Sequence, residues 1–212
     1  MKTMNEELKK LLIKVRDLYT KYGIKSMTMD DVARELGMSK KTLYQYVQNK
    51  DELVLKVCEL YDEEKNEIFR EIVLKNLNAI ESLMHVNKLV SKILKEYNPS
   101  VEYDLKKYHP EVYFQVKENN HSNMYNAVLQ NLKNGKKEGL YRSELDEELI
   151  AKLYVSRINS LSDSDVIKPE DMKKPGFMQQ LMEYHIRGIA NENGIKELEK
   201  CKKSFINEIE NK

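Results

Sequence analysis

The chain has 212 residues, enough to bury a sizeable core, with a formal net charge of +1 and 33% charged side chains. Glycine (7) and proline (4) are scarce, which argues against a sandwich or barrel of many short strands joined by tight turns. The 41% hydrophobic share argues against a disordered chain. Nowhere do eighteen apolar residues run together, and the N-terminal apolar stretch Leu11–Ile13 is too short for a secretion signal. Cys58 and Cys201 lie far apart, as expected of a reducing, cytoplasmic setting. The small net charge hides an asymmetry: residues 1–50 carry eleven basic and six acidic side chains, the remainder twenty-five and twenty-nine. A basic block at one end suggests an anionic partner met at that end only.

Helical periodicity then runs the length of the chain. Leu8, Leu11, Leu12, Val15, Leu18, Tyr19 and Tyr22 recur at three- and four-residue steps, which predicts a helix over 5–22, closed by Gly23. Thr28 is placed to cap a short second helix ending near Leu36 and Gly37, with Asp30 and Asp31 in its first turn. Ser39 caps a third, from Lys40 to Tyr46, and a fourth opens at Asn49 or Lys50 with Leu53, Val57, Leu60, Ile68 and Ile72 on one face. Ile80, Leu83, Met84, Val90, Leu94 and Tyr97 mark a fifth, stopped before Pro99. A short helix is expected around 101–108. A long one over 111–134 follows, weak in its middle at Asn119–Asn123 and closed by Gly135 and Gly139. Amphipathic helices over 146–161 and 177–193 come next, separated by a loop containing Pro169, Pro175 and Gly176, and the tail around Ile195, Leu198 and Phe205 reads as a last helix.

The stretch from Thr28 to Tyr46 has the anatomy of a helix-turn-helix. Two short helices that cross steeply need a residue tolerant of positive φ between them, here Gly37, and a small residue one turn earlier, here Ala33. Val32, Leu36 and Leu43 can fill the shared core. Ser39, Lys40, Lys41, Thr42, Tyr44, Gln45 and Tyr46 then lie on or beside a recognition helix. Lysine suits phosphate or guanine, threonine a base or methyl edge, glutamine adenine, and tyrosine hydroxyls phosphate. Lys50, opening the next helix, suits phosphate as well.

The run Leu18-Tyr19, Gly23, Met27-Thr28-Met29-Asp30-Asp31-Val32-Ala33, Gly37-Met38-Ser39, Thr42-Leu43-Tyr44-Gln45-Tyr46-Val47 and Lys50-Asp51-Glu52-Leu53 resembles the N-terminal domain of TetR-family transcriptional regulators. Val47 departs from the usual phenylalanine and bears on local packing. In the C-terminal body, Asn131, Gly135, Glu138-Gly139, Arg142 and Asp146 resemble that family's turn after a long helix, and Gly188-Ile189 with Gly194 the close of its final core helix. The resemblance implies an all-α protein with a helix-turn-helix domain at 1–47 and a helical ligand-binding and dimerisation domain at 48–212. It implies a homodimer on a palindromic double-stranded operator, usually repressing, released by a small molecule.

Met84, Tyr97, Tyr113, Met124, Tyr125 and Val128 are the expected cavity lining. With no charge cluster in 79–134, a mostly apolar effector is expected. The expected dimer face joins Leu149, Leu153 and Ile158 to Met178, Leu181, Met182, His185 and Ile189, two helices per subunit forming a four-helix contact. His85, His109, His121 and His185 lack i, i+4 pairing and no Cys-x-x-Cys occurs, so neither metal, cofactor nor catalytic site is expected. The alternatives are a helical interaction or scaffold protein without DNA binding, and a helical enzyme.

Overall fold

The computed structural model describes residues 6–96, 98–162 and 164–210. Eleven helices occur among them: α1 (Glu6–Tyr22), α2 (Met29–Glu35), α3 (Lys40–Leu43), α4 (Lys50–Leu74), α5 (Ala79–Glu96), α6 (Pro99–Tyr108), α7 (Pro110–Lys137), α8 (Glu147–Ser162), α9 (Pro169–Met172), α10 (Phe177–Ile189) and α11 (Glu192–Glu210). The fold is all-α, with a single antiparallel bridge among the described residues, between Tyr141 and Ala190. No helix among the described residues is long and apolar enough to cross a membrane.

The chain divides into two compact units, Met1–Ile68 with Asn98–Asn120, and Phe69–Tyr97 with His121–Lys212, so the division falls within α4 and α7. The boundary expected at residue 47 lies inside the first unit, which also takes in α6 and the start of α7. Its core joins Leu12, Val15, Val32, Leu43, Leu53, Val54 and Leu60, all nearly inaccessible, with Val112 of α7. Val47 is buried in the same cluster.

The second unit is built around Ile80, Leu132, Ala151, Ile186 and Leu198. Asn78 caps α5 by accepting from the backbone of Ile80 and Glu81 at 3.0 and 2.9 Å, and the Glu81 carboxylate accepts from Asn78 N at 2.9 Å. The end of α7 holds that cap in place: Glu138 accepts from Ala79 N at 2.8 Å, and Asn131 Nδ2 donates to Ala79 O at 2.8 Å. Asn191 clasps the loop after α7, donating from its side chain to Gly139 O and Tyr141 O, and accepts from Gly194 N at 3.1 Å.

Several boundaries differ from the periodicity, each for a physical reason. The helix expected over 40–46 ends at Leu43, with tight turns carrying Tyr44–Tyr46. Helix α7 continues through Asn119–Asn123, because weak formers are tolerated where both flanks are packed. Gly135 lies inside α7 and only Gly139, at φ +69°, ends it. Gly194 belongs to the first turn of α11 rather than to the close of α10.

Candidate nucleic-acid interface

Local chemistry fixes the helix-turn-helix. The Thr28 hydroxyl accepts from Asp31 N at 3.2 Å and the Asp31 carboxylate accepts from Thr28 N at 3.1 Å, a reciprocal capping box that starts α2. The hydrogen bonds from Thr28, followed by that from Arg34, hold the Asp31 carboxyl below its ordinary range. Gly37, at φ +67°, makes the turn, and Met38 N closes onto Ala33 O at 3.0 Å. Ser39 Oγ accepts from Thr42 N at 3.1 Å and starts α3.

The expected DNA-facing residues fall into two groups. Ser39, Lys40, Lys41, Tyr44 and Gln45 are exposed together on and at either end of α3, with Lys40 Nζ 2.8 Å from Asp30 Oδ1. Thr28 is exposed too, its hydroxyl engaged by Asp31 at 2.5 Å. Thr42 is half-buried, its hydroxyl 2.8 Å from that of Ser39. Tyr46 is half-buried and turned back towards α1, 3.5 Å from Glu7. Lys50 Nζ donates to Ile24 O at 2.7 Å, and burial pulls its pKa down against the nearby charges of Asp104 and Asp51.

The segment 98–120 bears on this region, which the sequence did not disclose. Asp104 accepts from Lys25 N at 2.9 Å, and His109 Nδ1 pairs with the Asp51 carboxylate in the first turn of α4. Lys25 and Lys107 both lie over the Tyr108 ring, at 4.8 and 5.4 Å. The α1–α2 loop and the start of α4 are thus tied to α6 and the α6–α7 junction.

The expected ligand set is split by the fold. Tyr113 belongs to the first unit. In the second, Met84 and Val128 are core residues, with Met124 and Tyr125 packed against them. Tyr97 lies outside the described residues. Of the described members of the set, Tyr125 lines the groove of about 700 Å³ between α7 and α8, together with His121, Ser122, Lys152, Val155, Ser156, Asn159 and Ser160. The signal that could have disclosed it is a polar stripe on α8, Lys152, Ser156, Asn159 and Ser160, spaced by three and four residues. Glu81, Glu197 and Cys201 also cluster, with atoms within 4.8 Å, but Asn78 and Lys200 already engage the carboxylates.

Half of the expected dimer face is covered within the chain itself. Met182 and Ile189 are core residues, and Met178 and His185 are buried. Ile158 and Leu181 are half-buried, whereas Leu149 and Leu153 are exposed and Tyr184, not foreseen, is 74% exposed. Burial, and then the Arg157 charge, push the His185 imidazole down to about 4. An unfolded histidine titrates near ~6.5, so the unfolded chain takes up this proton first as pH falls. The stability from neutral His185 is therefore complete above about 6.5 and drains away towards about 4. Thermal melts at pH 7 and pH 5 should show a drop that His185→Gln largely removes; equal drops in both proteins would refute it.

Residues 15–57 match the family described as bacterial regulatory proteins, tetR family. A Bacillus subtilis (strain 168) protein, described as the uncharacterized HTH-type transcriptional regulator YvaF, is 44% identical over 59 residues. The match covers 27% of this chain and 31% of that protein, so the chain spans about a third of the length of this relative. A transcriptional regulator from Cytophaga hutchinsonii ATCC 33406 superposes with a TM-score of 0.70 at 18% identity, over 88% of this chain and 100% of that one. AibR, solved with isovaleryl coenzyme A and operator DNA, superposes with a TM-score of 0.57 at 16% identity, over 84% and 97%. At these identities the likeness to solved structures establishes the shared fold.

Proposed function

We propose that this chain, which belongs to the tetR family of bacterial regulatory proteins, binds a palindromic operator as a homodimer and represses transcription until a small molecule releases it. The observation that carries the reading is the capped α2–turn–α3 unit, which holds Lys40, Lys41, Tyr44 and Gln45 outward as one polar, cationic surface. Such a surface pairs phosphate anchors with groups able to read base edges. A two-fold dimer would set two of them one helical turn of DNA apart, about 34 Å. Selection of sequences from random duplex, followed by footprinting on the chain's own promoter, tests it. A palindrome protected with steep salt dependence is expected; binding that is equal on all sequences would overturn it.

The effector is assigned to the α7–α8 groove. The lack of a charge cluster in 79–134 suggests a mostly apolar effector, but three serines, His121, Asn159 and Lys152 along the groove favour a polar one carrying hydroxyl or carboxylate groups. Ser156→Trp would fill the groove from its wall. A thermal-shift screen of hydroxy acids should raise the melting temperature of the wild type, with the response lost in Ser156→Trp while operator binding persists. A full response in the variant would remove the effector from this groove.

A further inference from the structure

Among the described residues of the second unit, two buried side chains lack a hydrogen-bond partner, Asn87 at a single amide oxygen and Arg157 at two charged nitrogens. Arg157 of α8 has both Nε and Nη2 buried without a hydrogen-bond partner. Its guanidinium carbon lies 5.4 Å from the centroid of the Tyr154 ring and 5.8 Å from that of Tyr184, and the Tyr154 ring lies 4.6 Å from that of His185. The aromatic faces attract the cation but do not receive its N–H groups in the way an oxygen does. A buried, charged donor without an acceptor is unfavourable, and native proteins rarely keep one without a reason.

The surroundings indicate where the acceptor comes from. Leu149, Leu153 and Arg157 are successive i, i+4 positions of α8, and the two leucines are 52% and 56% exposed. On α10, Leu181, Tyr184 and Gly188 continue the same kind of stripe, with open space around Gly188. Arg157 over Tyr184 joins the two. A water-filled approach would suit a lone cation; an apolar margin suits a protein surface that excludes water and delivers an oxygen to the donor.

We infer that Arg157 is an open donor held for an acceptor oxygen of a second copy of this chain, docked on the Leu149–Leu153 and Leu181–Tyr184 stripe. The inference rests on the homodimer proposed above. A two-fold contact presents the same stripe from both sides, so each copy closes the other's vacancy and two identical bonds form. The guanidinium is then a selectivity device. A surface that covers the stripe but brings no oxygen leaves the donor stranded, and is disfavoured against a true second copy.

Sedimentation equilibrium of the wild type, Arg157→Met and Arg157→Lys, without added ligand, tests this with a sign. Methionine keeps a long apolar stem but removes the donors. If the partner supplies an acceptor, Arg157→Met raises the dimer dissociation constant at least tenfold, and Arg157→Lys, which keeps charge but loses the planar fork, raises it severalfold. If no acceptor arrives, removing an unpaired buried charge leaves the dimer as tight or tighter, and the inference falls while the dimer stands. Circular dichroism checks that each variant is folded, and the lysine variant decides if the methionine one is not. A monomeric wild type would overturn the homodimer reading itself. In a repeat with added acetate, a wild type that dimerises as tightly as Arg157→Met only in its presence would assign the donor to a ligand instead, and would overturn the inference about Arg157.

Discussion

Replacing Gly135 by alanine should lower the melting temperature by roughly 6–12 °C, corresponding to about 3 kcal/mol at ~2–4 °C per kcal/mol for a chain of this size. Helix propensity alone predicts the opposite sign, since alanine is favoured over glycine inside a helix by about 1 kcal/mol. Sterics decide the matter. A Cβ at Gly135 would sit 2.1, 2.2 and 2.7 Å from three ring carbons of Tyr141. That ring has little freedom to retreat: it is 2% exposed, and its hydroxyl donates to Asn131 Oδ1 at 2.9 Å. The main chain is pinned as well, with Leu140 N and Tyr141 N both bonded to Gly135 O. Because Asn131 also holds the start of α5, displacing the ring disturbs α5 and α7 together. Tyr141→Ala should cost stability alone, yet the double variant should melt higher than the two losses added together. A Gly135→Ala protein melting within about 2 °C of the wild type, less than a ~1 kcal/mol effect would produce, would refute the packing.

The role of Gly135 was not legible in the sequence, where a glycine near the end of a helical run reads as a terminator. Its reason lies six residues further on, in a side chain that folds back across the helix. Thr28, Gly37 and Ser39, by contrast, act on groups within three residues or on their own backbone, and those short reaches made the helix-turn-helix legible. Four of the expected ligand residues, Met84, Met124, Tyr125 and Val128, pack together in the second unit, while Tyr113 falls in the first because α7 contributes to both units. A helical stripe records which positions are apolar and is silent about which neighbour covers them. The same ambiguity explains why Met182 and Ile189, chosen for a partner subunit, are used by the core of their own chain. The position of Lys50 at the start of a helix points to phosphate, whereas its 2.7 Å bond to Ile24 O depends on a loop that folds back from 26 residues earlier.

Reading and anchoring should separate cleanly in variants of the proposed DNA-facing surface. Gln45 is exposed immediately after α3 and offers both a donor and an acceptor, the pairing an adenine edge requires. Gln45→Ala should cost about 1–3 kcal/mol on each half-site, hence about 2–6 kcal/mol for the proposed homodimer on its proposed operator, and much less on random duplex. Preference at one base pair per half-site should relax. Lys50 has one of its donors committed to Ile24 O, which leaves two for a phosphate at the start of α4. Lys50→Ala should therefore weaken operator and random duplex alike and reduce the magnitude of the log K against log salt slope by about 1 per subunit. The lost bond to Ile24 would also loosen the α1–α2 loop, so a thermal melt is needed to separate weaker folding from weaker binding. Lys41, exposed in the first turn of α3, is proposed to stand between the two roles, its long side chain suiting either base or phosphate. Sequence selection with all three variants decides. A Lys50→Ala protein that selects a new sequence, beside a Gln45→Ala protein that keeps the old one, would reverse the two roles, and the base-reading surface would then have to be sought at the start of α4.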